Sequence, residues 1–377
     1  MHNRKNRRIG VIGGGPGGLT LARILTVHGL DCAVYERDEH ALARPQGGSL
    51  DIHADSGQRA LRVAGIFEAF AALARYDDQC DAIYDHAGAL HFMHTSAAGD
   101  RPEIDRTQLR DLLLASLPGG KICWGCKVRR VEEAAGGRWR IVGAEEETID
   151  EVDLVVGADG AWSRVRPLLS REQPAYTGVT FVELTIEDVD RRHPAVAALV
   201  PRGKISALGG TRGLIAQRSS GGQVRAYYMF RVAEGALRVD VMDMRRARGE
   251  LRGLLADWAP ELLCPLDACE AAVLRPIVAL PVGMRWDHRP GVTLIGDAAH
   301  VMSPFSGEGV NMAMLDAAEL ALALAGEQDW SRAVRGYEEA MFVRAAEAAE
   351  GARQGLAFVS EEGLAHVLEH FRGMVAA

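Results

Sequence analysis

The sequence predicts an α/β fold in which a parallel-sheet domain is interleaved with an antiparallel-sheet domain and followed by C-terminal helices. Three observations support this. A β-branched strand at residues 8–12 runs into Gly13-Gly14-Gly15-Pro16-Gly17-Gly18, then a helix, then a second strand ending on Glu36. Residues 176–240 change to short strand-like runs separated by glycine turns at 209–213 and 219–222, as an inserted antiparallel sheet requires. After Asp329 the chain is helical throughout, with Val334, Tyr337 and Met341 on one stripe.

The first of these is the G-x-G-x-x-G dinucleotide fingerprint in its full context, so the parallel domain is Rossmann-like. Gly13 makes the turn, Gly15 lets a pyrophosphate approach the backbone, and Gly18 lets helix and strand pack, while the helix N-terminus attracts the anion. Glu36 is placed to accept from adenosine ribose hydroxyls. At this point the fingerprint leaves NAD and FAD both open.

Residues 44–58 are rich in glycine and polar groups and read as a loop leading into a short strand, followed by a helix over 59–75. Asp105 is suited to cap a further helix in which Leu109, Leu112, Leu113 and Leu117 share a face, with Arg106 and Arg110 one turn apart on another side. Residues 121–149 alternate like two or three antiparallel strands, and 121–131 reads as one of them. Cys123 and Cys126 lie there with C-x-x-C spacing but without the helix N-terminus that activates such a pair, so they read as reduced structural thiols. The apolar run 152–156 suits a parallel strand; it ends in Gly157-Ala158-Asp159-Gly160, then Ser163, Arg164 and Arg166, a corner suited to an anion.

Within the inserted sheet, 181–186, 205–217, 223–230 and 236–241 read as strands; a charged helix follows over 245–258, and 273–280 returns toward the first domain. Arg225, Tyr227 and Met229 share one strand face, and Ala226, Tyr228 and Phe230 the other. His91 and His94 fall on opposite faces of a strand with no third ligand, so no metal is assigned.

The hub is residues 291–320. A buried strand over 292–295 ends at Gly296-Asp297, the loop 303–309 follows, and a helix over 311–320 carries Asp316 and Glu319 on its predicted wet side. His300 reads as a hydrogen-bonded packing residue rather than a base. A carboxylate, a glycine-rich loop and a helix start suit a polyol chain and an anion.

With 377 residues, 48% hydrophobic and 25% charged, the chain has ample material for two domains. Its net charge of -8 argues against a nucleic-acid surface. The run Arg4, Lys5, Arg7, Arg8 reads as a solvated tail, and no stretch reaches the roughly 20 apolar residues of a membrane span. Six cysteines without disulfide rhythm complete the expectation of a soluble, cytoplasmic protein, and the single-chain layout permits a monomer.

Together, GGGPGG with Glu36, VVGADGAWSRVR at 155–166 and LIGDAAHVMSPFSGEGVN at 294–311 resemble the FAD-dependent aromatic hydroxylase-type monooxygenases, the single-component group with a p-hydroxybenzoate hydroxylase-like fold. The runs YERD at 35–38, RPQGGSLDIHADSGQRAL at 44–61 and PEIDRTQLRDLLLASL at 102–117 are similar to the TetX-type tetracycline-degrading monooxygenases within it. The resemblance implies an FAD-binding domain built from residues 1–75, 101–172 and 276–325, a substrate domain from 76–100 and 173–275, and a C-terminal helical segment over 326–377. It implies that Gly13, Gly15, Gly18, Glu36 and Arg37 hold the adenosine and pyrophosphate end of FAD, with Asp51, Arg106, Asp159, Asp297, Gly309 and Asn311 completing the cofactor set and Arg44 near the NADPH path. Pro304, Phe305 and Gly307 form the pocket wall. Glu183, Arg225 and Lys204 stand where the tetracycline enzymes have glutamine, histidine and arginine, and with Tyr227 form the expected substrate set.

The implied chemistry is hydride delivery from NADPH to FAD, addition of O2 to give a flavin C4a-hydroperoxide, and oxygen transfer to an electron-rich phenolic or enolic polycyclic compound, tetracycline-type antibiotics among the candidates. The flavin carries this chemistry, so no catalytic triad is expected and no protein residue is assigned as catalytic. The rival readings are an FAD-dependent reductase or cyclase-like enzyme that inserts no oxygen, and a flavoprotein that only sequesters an antibiotic. A nicotinamide-dependent dehydrogenase needs neither the 157–166 nor the 296–311 motif.

Overall fold

A computed structural model describes residues 7–43, 47–77, 80–95 and 100–376. Its first lobe is built on a five-stranded parallel sheet in the order Val292–Leu294, Leu154–Gly157, Arg8–Ile12, Asp31–Tyr35, Ile122–Cys123. Strands covered on both faces must be apolar almost continuously, and Ile9, Val11, Val34, Leu154, Val155, Val156, Val292 and Leu294 are all buried. A small antiparallel sheet, Val128–Glu133, Trp139–Gly143 and Thr148–Val152, flanks it. The expected strand over 121–131 is thus two strands in two sheets. Gly125, at positive φ, turns the chain between them, and its N–H donates to the Asp38 carbonyl.

The second lobe is a seven-stranded sheet in the order Ala272–Ala279, Ala175–Ile186, Val224–Arg231, Arg212–Arg218, Lys204–Gly209, Cys80–Asp85, Leu90–Thr95. Pairing is antiparallel except between Lys204–Gly209 and Cys80–Asp85. Ala226, Tyr228 and Phe230 face a core shared with the helices Met244–Leu254 and Pro260–Ala268. The opposite face, with Phe181, Leu208 and Met229, packs against Phe305, Phe358 and the helix Gly363–Ala376.

Several expectations change here. Residues 236–241 form no strand. The run expected to return to the first lobe, 273–280, is the edge strand Ala272–Ala279 of the large sheet, and it crosses the expected domain boundary at 275/276. The helix expected over 59–75 is two, Gly57–Val63 and Phe67–Ala71, separated by Gly65 at φ +69°. The C-terminal segment divides between lobes: Trp330–Gly355 contributes Val334, Tyr337 and Met341 to the first core, whereas Gly363–Ala376 lies on the large sheet.

The hub helix spans Gly309–Gly326 and packs against Pro16–Val27, Gly57–Val63 and Trp330–Gly355. By length and composition it is apolar enough to cross a membrane, the single such helix among the described residues, which the sequence reading did not anticipate. It is a core helix: Met314, Asp316, Ala317, Leu320 and Leu324 are fully buried. Asp316 was expected on the wet side. It lies inside because three donors meet it: the Gly296 N–H at 3.0 Å, His300 Nε2 at 2.6 Å and Arg344 Nη2 at 3.4 Å.

Candidate functional site

The helix Pro16–Val27 starts at Gly15, whose backbone is extended, with proline in its first turn and no side chain capping its free N–H groups. Gly13 has φ +107°, and a Cβ there would strike the Ala158 carbonyl; a Cβ on Gly18 would strike the carbonyl of Gly13. Around Gly15 there is open space. The turn is therefore packed beneath and free above, as a cradle for a phosphate must be. Glu36, buried at the end of its strand, accepts from the Gly14 N–H at 2.6 Å and the Asp38 N–H at 3.0 Å. Arg37 is exposed. Arg110 is buried; it donates to the Ala41 carbonyl, pairs with Asp38 at 3.5 Å and lies over the Trp124 ring at 5.6 Å.

The 157–166 corner is used differently from the anion site expected of it. Ser163 Oγ accepts from the N–H groups of Val165 and Arg166, and the wholly buried Arg166 donates to the carbonyls of Ala298 at 3.1 Å and Ala161 at 2.6 Å. These bonds tie the corner to the Asp297–His300 turn. Asp159 accepts from the Arg164 N–H at 2.6 Å through one oxygen, while its other oxygen is buried without a partner among the described residues, and burial raises its pKa.

Asp297 stands exposed at the N-terminal end of the short helix Asp297–His300. Enough protein surrounds its carboxyl that burial raises its pKa, against the opposing charges of His300 and Arg106. Arg106, at the start of its helix, has its pKa lowered by burial, with Asp297 the strongest opposing charge, and its guanidinium makes no hydrogen bond among the described residues. Gly309, first residue of the hub helix, brings that N-terminus to the same place: its missing Cβ would lie 4.0 Å from the Asp297 carboxylate. Asn311 is an internal clamp, accepting from the His53 N–H at 2.9 Å and donating to the carbonyls of Asp51 at 2.9 Å and Gly307 at 3.4 Å. His300 is the hydrogen-bonded packing residue expected of it.

On the facing sheet, cross-strand register sets Glu183 opposite Tyr227 and Phe181 opposite Met229. Glu183 receives Arg225 and, at 2.7 Å, Arg275 from the edge strand. Tyr227, whose pKa is raised by burial and the Glu183 charge, stacks obliquely on Phe181, and Phe181 meets Phe305 edge-on at 5.7 Å. Pro304, Phe305 and Gly307 form the short turn ahead of the hub helix, with Gly307 in the left-handed region. Gly47 and Gly48 lie over the two arginines: a Cβ on Gly48 would come within 2.7 Å of Arg225 Cδ, and one on Gly47 within 3.3 Å of Arg106. Arg44 lies outside the described residues.

Lys204 is held differently from the other three expected substrate residues. Its ammonium pairs with Asp81 at 3.3 Å, and although burial opposes it, Asp81, Asp51 and Glu103 raise its pKa. Glu103 was not singled out from sequence. It is buried opposite Asp51 on a two-stranded ribbon, accepts from Ser49 and, through both oxygens at 2.9 Å, from Gln217 of the large sheet. Burial and then the Asp51 charge push it up to about 7. Asp51 goes the other way: burial would raise it, but the hydrogen bond from His53 and the Lys204 charge bring it to about 2. His53, between Asp51 and Glu308, is pushed up to about 9 by those carboxylates against its burial. In sequence, Glu103 sits in an unremarkable PEID run; only strand register reveals what it faces.

These elements are a glycine turn with open space at Gly15, the buried Glu36, the exposed Asp297, an Arg106 guanidinium without a hydrogen bond among the described residues, and the aromatic contacts of Phe181 with Tyr227 and Phe305. Comparison with known proteins shows the family and the fold. The FAD binding domain family model matches residues 7–332. Monooxygenase penA of Penicillium thymicola is 31% identical, over 90% of this chain and 92% of its own length. Among solved structures, HpxO of Klebsiella pneumoniae complexed with FAD and uric acid superposes with a TM-score of 0.83 at 22% identity, covering 99% of this chain and 94% of that one. The tetracycline destructase Tet(55) gives 0.73 at 21% identity, covering 95% and 90%.

Proposed function

The chain belongs to the FAD binding domain family and is an FAD-dependent monooxygenase of the aromatic hydroxylase type; from that premise we propose that it uses NADPH to place one oxygen atom of O2 into an electron-rich phenolic or enolic polycyclic compound, tetracycline-type compounds among the candidates. One observation carries the reading. Asp297, exposed after the strand Val292–Leu294 and beside the Gly309 helix start, shares the carboxyl edge of the parallel sheet with the glycine turn that leaves open space at Gly15, and Arg106, which makes no side-chain hydrogen bond among the described residues, is one of the positive charges it feels.

When bound, FAD supplies the activation of dioxygen. The protein's part is to bind, orient and exclude water. Gly13, Gly15 and Gly18 with the helix N-terminus hold the pyrophosphate, and Glu36 and Arg37 the adenosine end. Asp297 accepts from the polyol chain, and the N-terminus of the Gly309–Gly326 helix offers free N–H groups and a positive dipole end to the ring system. Asp159, one oxygen of which has no hydrogen-bond partner among the described residues, is a further acceptor. Asn311 acts one step back, fixing the 303–309 loop against the Asp51 strand. Arg106 supplies the positive charge between cofactor and substrate, while Pro304, Phe305 and Gly307 wall off water. Lys204, Asp51 and Glu103 hold the two lobes in register rather than contacting substrate.

The test is to add NADPH or NADH to the purified protein under isotope-labelled O2 with polycyclic phenols and tetracyclines. One labelled oxygen in the product, with NADPH preferred, supports the reading. NADPH oxidation without oxygen uptake points to the reductase reading; a flavin that NADPH leaves unbleached points to sequestration.

A further inference from the structure

The turn Cys123-Trp124-Gly125-Cys126 closes on the residue that follows the strand Asp31–Tyr35. The Glu36 N–H donates to the Cys123 carbonyl at 3.0 Å, and the Glu36 carbonyl accepts from the Cys126 N–H at 2.8 Å. Each cysteine thus holds one side of the Glu36 backbone, while the Glu36 carboxylate reaches forward to the Gly14 N–H of the glycine turn at 2.6 Å. Gly125 adds a third tie, its N–H donating to the Asp38 carbonyl at 2.8 Å. Trp124 and Gly125 are the middle residues of the turn, Gly125 at φ +71°. Such a turn brings the α-carbons of its first and fourth residues within about 7 Å, close to the separation a disulfide spans. Both thiols are free and half-buried. They are near enough that Cys123, after burial, raises the Cys126 thiol pKa. The clamp on Glu36 uses main-chain groups alone, so holding that residue does not by itself call for a sulfur at either end of the turn.

Resting on the monooxygenase reading above, we propose that Cys123 and Cys126 are a modification site for hydrogen peroxide, which oxidises the pair to a disulfide that locks the turn on Glu36 and slows the release of FAD. Peroxide is what remains when O2 takes two electrons from NADPH and none of its oxygen reaches a substrate. One thiolate attacks the O–O bond of peroxide, giving a sulfenic acid and a hydroxide that takes up a proton and leaves as water. The second thiol displaces the sulfenic hydroxyl, so the S–S bond forms and a second water departs; two electrons leave the sulfur pair and two reduce the peroxide. The pair lacks a helix N-terminus and the Cys126 thiol is raised, so it reacts slowly and is no catalytic dithiol. The lock follows from position. The cross-link joins the two residues whose main chains hold Glu36, in a turn that already has the spacing required, so open forms of the clamp are lost and a ligand that needs Glu36 in place gives up less freedom on binding.

The experiment treats the FAD-loaded protein with hydrogen peroxide, without NADPH, and reads a peptide mass and the rate of FAD release. Trypsin cleavage after Lys121 and Lys127 leaves residues 122–127 as one peptide that holds both cysteines and no other. That peptide should become lighter by two hydrogen atoms and regain them with a phosphine reductant, and FAD should leave the oxidised protein about 3- to 10-fold more slowly than the reduced one. Cys123→Ser and Cys126→Ser should both keep their flavin and show no slowing after peroxide; reversal by the reductant gives the same comparison without any variant. An unchanged peptide, oxygen added to it without loss of hydrogen, release as fast from the oxidised as from the reduced protein, or a slowing that persists in either serine variant would overturn the inference. Peroxide is supplied directly, so those results leave the oxygen-transfer reading standing; a product without labelled oxygen removes that reading and leaves the peptide mass and the release rate intact.

Discussion

Glu103 shows how far one side chain's environment departs from its sequence context. Its folded-state pKa of about 7 lies above the ordinary carboxylate value, so between those values the folded protein holds a proton that the unfolded chain has released. Its favourable contribution is complete below about pH 4.5 and is lost as pH rises through about 7. Chemical denaturation of Glu103→Gln should therefore show the variant gaining on the wild type between about pH 5 and about pH 8, by an amount on the order of 3 kcal/mol at most. A difference that stays flat with pH contradicts the assignment. The Asp51–His53 pair acts in the opposite senses: Asp51 stabilises above its ordinary value and loses this as pH falls through about 2, whereas His53 stabilises below its ordinary value and loses this as pH rises through about 9. At this scale the sequence was legible where a residue's partner is close along the chain, as with Glu36 and the glycine turn. It was silent where the partner arrives through strand register, as with Glu103 and Gln217, and misleading at Asp316, where helical spacing gives no sign of the three donors waiting inside.

The elements that carry the site are a turn, a loop and a helix start, and each is held from behind. The 303–309 loop is fixed by Asn311, whose amide bridges the His53 N–H and the carbonyls of Asp51 and Gly307. Asn311→Ala removes those bonds and leaves buried backbone groups unpaired, so thermal unfolding should show a loss of about 2–4 kcal/mol. Flavin content should fall as the loop loosens; a variant with unchanged stability and colour would show that the clamp has no such role. Gly48→Ala probes the other side of the cleft. Its Cβ would press on Arg225 Cδ at 2.7 Å, and because Arg225 is buried and held by Glu183 the pair must shift, so thermal unfolding should show a loss of about 1–3 kcal/mol; an unchanged melting transition would contradict this contact. The glycine turn and the hub were readable because strand, turn and helix follow one another directly. The large sheet was readable as a sheet, and Glu183, Arg225 and Tyr227 were singled out on it, but the sharing of Glu183 between Arg225 and Arg275 was not, because these residues come from three strands whose pairing no local pattern specifies, and the edge strand was misassigned for the same reason.

At the scale of the molecule, two lobes with separate cores meet along a polar seam. Gln217 and Lys204 of the large sheet reach Glu103 and Asp51 of the ribbon, and Ser220 bonds to Asp105. The interleaved chain order was visible in the sequence; the division of the C-terminal helices between the lobes was not, since their apolar stripes do not say which core they face. On the reading proposed above, Asp297 holds FAD at the carboxyl edge of the parallel sheet. Its most direct test is the visible spectrum of purified wild-type protein and of Asp297→Ala, with flavin content quantified against protein. The wild type should be yellow with stoichiometric FAD, and the variant should bind FAD about 10- to 150-fold more weakly, the loss of ~1.5–3 kcal/mol expected for a charge-assisted hydrogen bond, and purify nearly colourless. A colourless wild type, or a variant as yellow as its parent, would contradict it.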